Sequence, residues 1–171
     1  MELWDLYDAS GRPTGETWVR GNAGHIPEGR YHIICDVLIR NTDGKYLLTL
    51  RDPNKETHPG EWEASAGGSA LAGENPLQAA EREMLEETGL TATRMELVGR
   101  SMRGNCIFYS YLADTECAPD AVRLQEGETV DYRWVDPADL VAFSHRDDGL
   151  KAHNERYRSF FDQLEKELES K

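Results

Sequence analysis

In the stretch GGSALAGENPLQAAEREMLEETGL, Gly67 to Leu90, the side chains that could do chemistry are carboxylates: Glu83, Glu86 and Glu87, preceded by Glu74 and by the glycine pair Gly67-Gly68. On a helix, Glu83 meets Glu86 at i,i+3 and Glu87 at i,i+4, and each like-charge pair costs roughly 0.2–0.5 kcal/mol without a counter-ion. A divalent cation removes that cost. Carboxylate oxygens are hard ligands suited to Mg²⁺ or Mn²⁺, whereas zinc favours His and Cys. The competing reading is a solvated acidic helix face, the ordinary fate of such a run.

The element that must position these groups can be bounded closely. Asn75 is a good N-cap, Pro76 suits the first helical position, Gln78 occupies the capping-box site and Gly89 offers a left-handed stop, so a helix is expected over Pro76–Thr88. At roughly 100° per residue, Leu77, Ala80, Met84 and Thr88 share one arc, and Glu83, Glu86 and Glu87 share another roughly opposite. One face is expected to pack and the other to collect carboxylates.

Around this helix the chain alternates strand-like and helix-like runs without repeats. WDLYDASGRPTGETWVR reads as a hairpin; HIICDVLIR and KYLLTLR, joined by NTDG, read as a second hairpin in the core. EWEAS (Glu61–Ser65), MELVGR, CIFYSYLAD and DYRWVD are further strand candidates, and PADLVAF suggests a short helix behind Pro137. From Gly149 onward, Leu150, His153, Tyr157, Phe161, Leu164 and Leu168 fall at intervals of an amphipathic helix. Strands covered by helices imply an α/β or α+β layered domain.

With 171 residues and 39% hydrophobic content, the chain is long enough for one domain with a real core. A net charge of −13 argues against nucleic acid or an anionic membrane as partner. A small anionic substrate remains compatible if cations mediate its binding. No apolar run reaches the roughly 18 to 20 residues of a membrane span, and MELWDLYD lacks a signal-peptide pattern, which points to the cytoplasm. Cys35, Cys106 and Cys117 form no CxxC pair and read as reduced thiols.

Gly68, five residues, Glu74, seven residues, then Arg82-Glu83-Met84-Leu85-Glu86-Glu87-Thr88-Gly89-Leu90 resembles the Nudix box in full. A chance match at the fixed positions has a probability of roughly 10⁻⁸ to 10⁻⁹ per starting point. The resemblance implies a Nudix α/β/α sandwich with a mixed sheet, the whole of 1–171 forming one domain, with residues 1–24 as an N-terminal β-hairpin extension, 68–90 as the box and 149–171 as a C-terminal helix. It implies Glu83, Glu86 and Glu87 as ligands of Mg²⁺ or Mn²⁺, with a backbone carbonyl of Gly68 as a further ligand. Glu74 and Arg82 are then an internal salt bridge and Gly89 the helix stop. The activity implied is pyrophosphohydrolysis of a nucleoside diphosphate linked to another moiety. A carboxylate must accept a proton from water in such a reaction; Glu83 is one candidate, and LQEGETVDYRWV offers Glu126 and Glu128, the second favoured by its distance to Trp134.

Several features resemble the Nudix branch that includes isopentenyl-diphosphate isomerase: the opening WDLYD…GRPTG, His25 with His32, Glu126-x-Glu128, and HPGEW ahead of the box. The isomerase needs a reactive cysteine and a metal-binding histidine just upstream of its box, where this chain has EASAGGS. That departure favours a hydrolase, with an isomerase and a non-catalytic nucleotide-binding module as alternatives. Arg51, Trp62, Tyr109 and Arg103 are candidate contacts to the small-molecule diphosphate substrate, and the hairpin's edge strands suit pairing across a homodimer.

Overall fold

The computed structural model describes residues 1–21, 25–146 and 151–170. In chain order the strands are β1 (Leu3–Tyr7), β2 (Pro13–Val19), β3 (His32–Asn41), β4 (Tyr46–Arg51), β5 (Trp62–Ala64), β6 (Ala66–Ser69), β7 (Arg94–Arg103), β8 (Cys106–Thr115) and β9 (Thr129–Val135). The helices are α1 (Pro76–Thr88), α2 (Pro137–Ser144), α3 (Lys151–Arg156) and α4 (Arg158–Glu169). A seven-stranded mixed sheet runs β5-β4-β3-β8-β7, with β6 added to β3 and β9 to β4, and β1-β2 form a separate hairpin.

β3 is the axis of this arrangement. It pairs in parallel with β8 from His32↔Cys106 to Asn41↔Thr115 and antiparallel with β6 from Ile34↔Ser69 to Val37↔Ala66. A strand buried on both faces must be apolar at nearly every position, which is why HIICDVLIR carries no clean alternation. Ile33, Cys35, Val37 and Ile39 pack toward Ala80 and Met84 of α1, while Leu38 joins Leu48, Leu140, Tyr157 and Phe161 beneath α2 and α4. Two apolar layers on opposite faces of one sheet make the α/β/α sandwich.

Three local expectations change in the structure. EWEAS is not one strand: β5 pairs with β4, the chain turns a corner at Ser65, and β6 pairs with β3. Ser65 pins that corner, its hydroxyl donating to the Leu47 carbonyl at 2.7 Å and accepting from the Ile39 N–H at 2.8 Å. Gly67-Gly68 consequently lie inside a strand. The C-terminal segment, read as one helix from Gly149, is α3 and α4 with Tyr157 between them at φ −103°, its hydroxyl donating to the Tyr111 carbonyl at 3.0 Å; Gly149, Leu150 and Lys171 lie outside the described residues.

The third change concerns α1. Its ends match expectation: Gln78 N–H donates to Asn75 Oδ1 at 2.9 Å, Asn75 N–H donates to Gln78 Oε1 at 3.0 Å, and Gly89 closes the helix at φ 70°. Its faces are rotated from expectation. Leu77 is 40% exposed and Glu87 only 8%, because small Ala79 and Ala80 form the contact and centre the buried arc near Ala80. Glu83 and Glu87 therefore flank the packed face instead of opposing it.

The hairpin packs on its own chain. Trp4 stacks on the buried ring of His32 at 4.2 Å, Ala72 N–H donates to the Leu3 carbonyl at 2.7 Å, and Gly73 N–H donates to Asp5 Oδ2 at 2.7 Å. It thereby braces the loop that leads into α1. Burial pushes His32 down to about 4, so the ring is neutral at physiological pH.

On the other face, α3 is tied to β3 by a buried ion pair. Asp36, 3% exposed, accepts from Arg156 Nη1 through both carboxylate oxygens at 2.8 Å. Burial alone would raise the Asp36 carboxyl; the opposing pull of His153 and Arg156 outweighs it and holds the group below its ordinary value. Asp36→Asn leaves Arg156 without its counter-charge and is expected to cost about 3 kcal/mol, read as a lower urea midpoint at unchanged slope. Because the folded value is depressed, the stabilisation is present above the ordinary carboxylate range and is lost as pH falls through the folded value. The deficit of the variant should therefore shrink in acid.

Candidate active site

The floor of the cleft is made where α1 crosses β6 at Gly67-Gly68, which put no side chain of their own between helix and strand. Glu87 Oε2 accepts from the Gly67 N–H at 3.1 Å. A Cβ placed on Gly68 would overlap the whole Glu83 carboxylate, and one on Gly67 would lie 2.7 Å from the Cys35 carbonyl oxygen. Gly67 therefore has no room for a side chain, whereas a side chain on Gly68 would have to displace the Glu83 carboxylate. Burial pushes the Glu87 carboxyl well up, with neighbouring Glu83, Glu63 and Glu128 adding to the effect against the Gly67 hydrogen bond. Burial also raises Glu83, against the opposing pull of Arg82.

Arg82 organises the other side of the helix. Its Nε and Nη2 donate to the two oxygens of Glu74 at 2.7 and 2.9 Å, and Nη2 also donates to the Ser69 carbonyl at 3.0 Å. This planar fork ties α1 to both the end of β6 and the loop that precedes the helix. Nη1 reaches Glu83 at 2.7 Å and Glu86 at 3.1 Å.

Among the described residues no three acidic, imidazole or thiol groups converge as they stand at metal-ligand spacing. Arg82 Nη1 takes up an oxygen of Glu83 and an oxygen of Glu86. The donor set nonetheless fits a hard divalent cation: Glu83 lies against bare Gly68 backbone, and Glu87 is a buried carboxylate crowded by like charge. These residues could hold such an ion with Glu86, whose side chain is about half exposed.

The floor opens into a cavity of about 410 Å³. Glu128 lines it, held by Lys55 Nζ at 2.5 Å, while its backbone carbonyl accepts from the Asp52 N–H at 2.9 Å. Glu126 is exposed on the adjoining turn and does not line the cavity. Arg51 lines this cavity and an adjoining one, and its Nε donates to the Thr57 carbonyl at 2.7 Å. Trp62 lines the adjoining cavity, with the Arg133 guanidinium 4.2 Å from its ring centroid. Tyr109 and Arg103 line neither: Tyr109 packs on the α1 face of the core, and Arg103 is exposed at the end of β7. His25 is exposed.

Sequence reading passed over Lys55, Asp36, Glu63 and Arg156, all of which border the cleft. Only Asp36 carried a signal, as a lone acid within an apolar strand run. Arg156 had none, since its place depends on a contact across 120 positions.

The NUDIX domain family model matches residues 30–164, and the chain belongs to the Nudix family. It is similar to an uncharacterized Nudix hydrolase of Listeria monocytogenes, 36% identical over 146 residues that cover 83% of this chain and 84% of that protein. It is similar also to an isopentenyl-diphosphate Delta-isomerase of Corynebacterium diphtheriae, 31% identical over 162 residues covering 85% and 84%. A crystal structure from Deinococcus radiodurans shares the fold with a TM-score of 0.72 at 16% identity, covering 96% of this chain and 98% of that one. No helix among the described residues is long and apolar enough to cross a membrane.

Gly68→Ala tests the close approach of α1 to β6. The added methyl meets only the movable end of Glu83, so the melting temperature is expected to change by less than about 4 °C, the equivalent of under about 1 kcal/mol. Affinity for Mn²⁺, read by electron paramagnetic resonance, should fall at least about tenfold. Unchanged affinity would show that Glu83 need not rest on bare backbone.

Proposed function

We propose that this chain is a metal-dependent hydrolase that cleaves the diphosphate bond of a nucleoside diphosphate linked to another moiety. The observation that carries this reading is the juxtaposition of Glu83 and Glu87 with the bare backbone of Gly67-Gly68, at the bottom of a cavity that also presents Arg51 and Lys55. Glu83, Glu86, Glu87 and the Gly68 carbonyl hold Mg²⁺ or Mn²⁺ in this reading. The bound cation supplies neutralisation of the diphosphate charge and acidification of water.

The remaining work falls to side chains. Arg51 and Lys55 attract the anionic substrate, and Arg82 keeps α1 at a fixed distance from β6 through Glu74 and Ser69. Glu128 is the general base, favoured over Glu126 because it lines the cavity while Glu126 faces solvent. Its carboxylate accepts the water proton, and Lys55 keeps it oriented.

The likeness to the Corynebacterium isomerase favours an isomerase as the second reading. Against it, Ser65 is buried with its hydroxyl engaged inside the sheet, and none of the three cysteines lines either cavity of the cleft. Cys35 donates to the Pro76 carbonyl beneath α1, and Cys106 lies 3.1 Å from His32 Nε2.

Glu87→Gln separates these readings from an inert acidic face. With Mg²⁺ and a panel of nucleotide-linked diphosphates plus isopentenyl diphosphate, the wild type is expected to release a nucleotide product in an EDTA-sensitive manner. The variant should lose at least about 100-fold in kcat, within the range for removing one electrostatic element of an active site. Isomer formation without cleavage would select the second reading. In the absence of metal, the same variant should melt higher than wild type, because it removes a buried carboxyl whose charged form burial disfavours. Added Mg²⁺ should raise the melting temperature of wild type alone.

A further inference from the structure

Past Gly67-Gly68 the cleft continues into a second cavity of about 250 Å³, which shares Ile34 and Arg51 with the first. A group carried on the far phosphate of a substrate bound at the glutamates would lie there. Its wall holds polar groups in fixed positions. The Arg156 guanidinium lies 3.7 Å from the centroid of Phe108, so the ring supports one face of it while Asp36 holds Nη1. Among the described residues Nη1 is the one Arg156 donor that is bonded, which leaves Nε and Nη2 to donate elsewhere. Glu63 lines the same cavity, and among the described residues its carboxyl has one hydrogen-bond partner, Arg51 Nη1 at a long 3.5 Å.

The wall cannot easily withdraw. A Cβ on Gly99 of β7 would overlap the Arg156 carbonyl, so α3 rests directly on bare strand backbone, and Tyr157 anchors the next turn through Tyr111. A fixed guanidinium donor and a carboxyl acceptor on one small cavity suit hydroxyl groups, each of which both donates and accepts. A hydrocarbon chain would displace water from both groups and return no hydrogen bond.

Building on the hydrolase reading, we propose that this side cavity recognises a polyhydroxylated, sugar-like group attached to the diphosphate, with Arg156 and Glu63 reading its hydroxyls. The test compares two probes that share one nucleotide, ADP-ribose and the n-pentyl ester of ADP, on the full chain with Mg²⁺. Cleavage is read as kcat/KM on wild type, and binding is read separately by calorimetry on a Glu128→Gln background, which keeps the metal-holding residues.

ADP-ribose is expected to be preferred at least about tenfold in both readouts, the weight of one hydrogen bond to a charged group. Arg156→Lys and Glu63→Met, each shown by its melting curve to be folded, should remove most of that preference; Glu63→Met carries the test alone if the loss of the Asp36 pair unfolds the first variant. Equal or better use of the pentyl ester by wild type overturns the proposal, as does a preference that survives in the folded variants. Preferential binding of ADP-ribose without cleavage of either probe would refute the hydrolase reading and leave the cavity assignment standing. Cleavage of both at equal rates would do the reverse.

Discussion

The site depends on one steric constraint: a helix must come close enough to a strand for carboxylates to touch backbone. Gly67 and Gly68 leave β6 bare, Ala79 and Ala80 narrow the packed face of α1, and Arg82 locks the distance by bonding Glu74 and Ser69 together. Each part is ineffective without the others. A side chain on Gly68 would displace Glu83, and a longer residue at Ala80 would lift the helix off the sheet. The capping box and the hairpin contacts at Ala72 and Gly73 act on the same geometry from outside, by fixing where α1 starts.

Charge is arranged with the same economy of space. The chain carries −13 overall, yet its cleft has Arg20, Arg51, Lys55 and Arg82 among the acids that line it. These cations offset the acids locally in a protein whose wider field is negative. They do not neutralise Glu87, whose carboxyl stays buried among like charges.

What could be read before the coordinates were known follows the range of the interactions involved. The ends of α1 were legible because caps act over three or four positions, and β3 was legible because burial on both faces demands an unbroken apolar run. The rotation of α1 was not, since the arc that packs is chosen by the partner surface, and Leu77 proved less useful there than alanine. The change of partner at Ser65 was hidden for a related reason: a strand looks the same whichever neighbour it serves. The Asp36–Arg156 pair joins residues 120 positions apart, and no local pattern in LKAHNERYR distinguishes Arg156 from an exposed arginine.

The parallel pairing of β3 with β8 also has a temporal side. β3 leaves a growing chain first, but the strand that covers its full length, beginning at Cys106, follows some 74 positions later, as does the guanidinium partner of Asp36 at still greater separation. Closing such long loops is entropically costly and slows assembly relative to local structure. The capped helix α1 needs only its own neighbours to begin forming, and the strands it packs on, β3 and β6, both precede it in the chain. During synthesis the acidic helix and the strands it rests on have all emerged before the strand that pairs along the full length of β3.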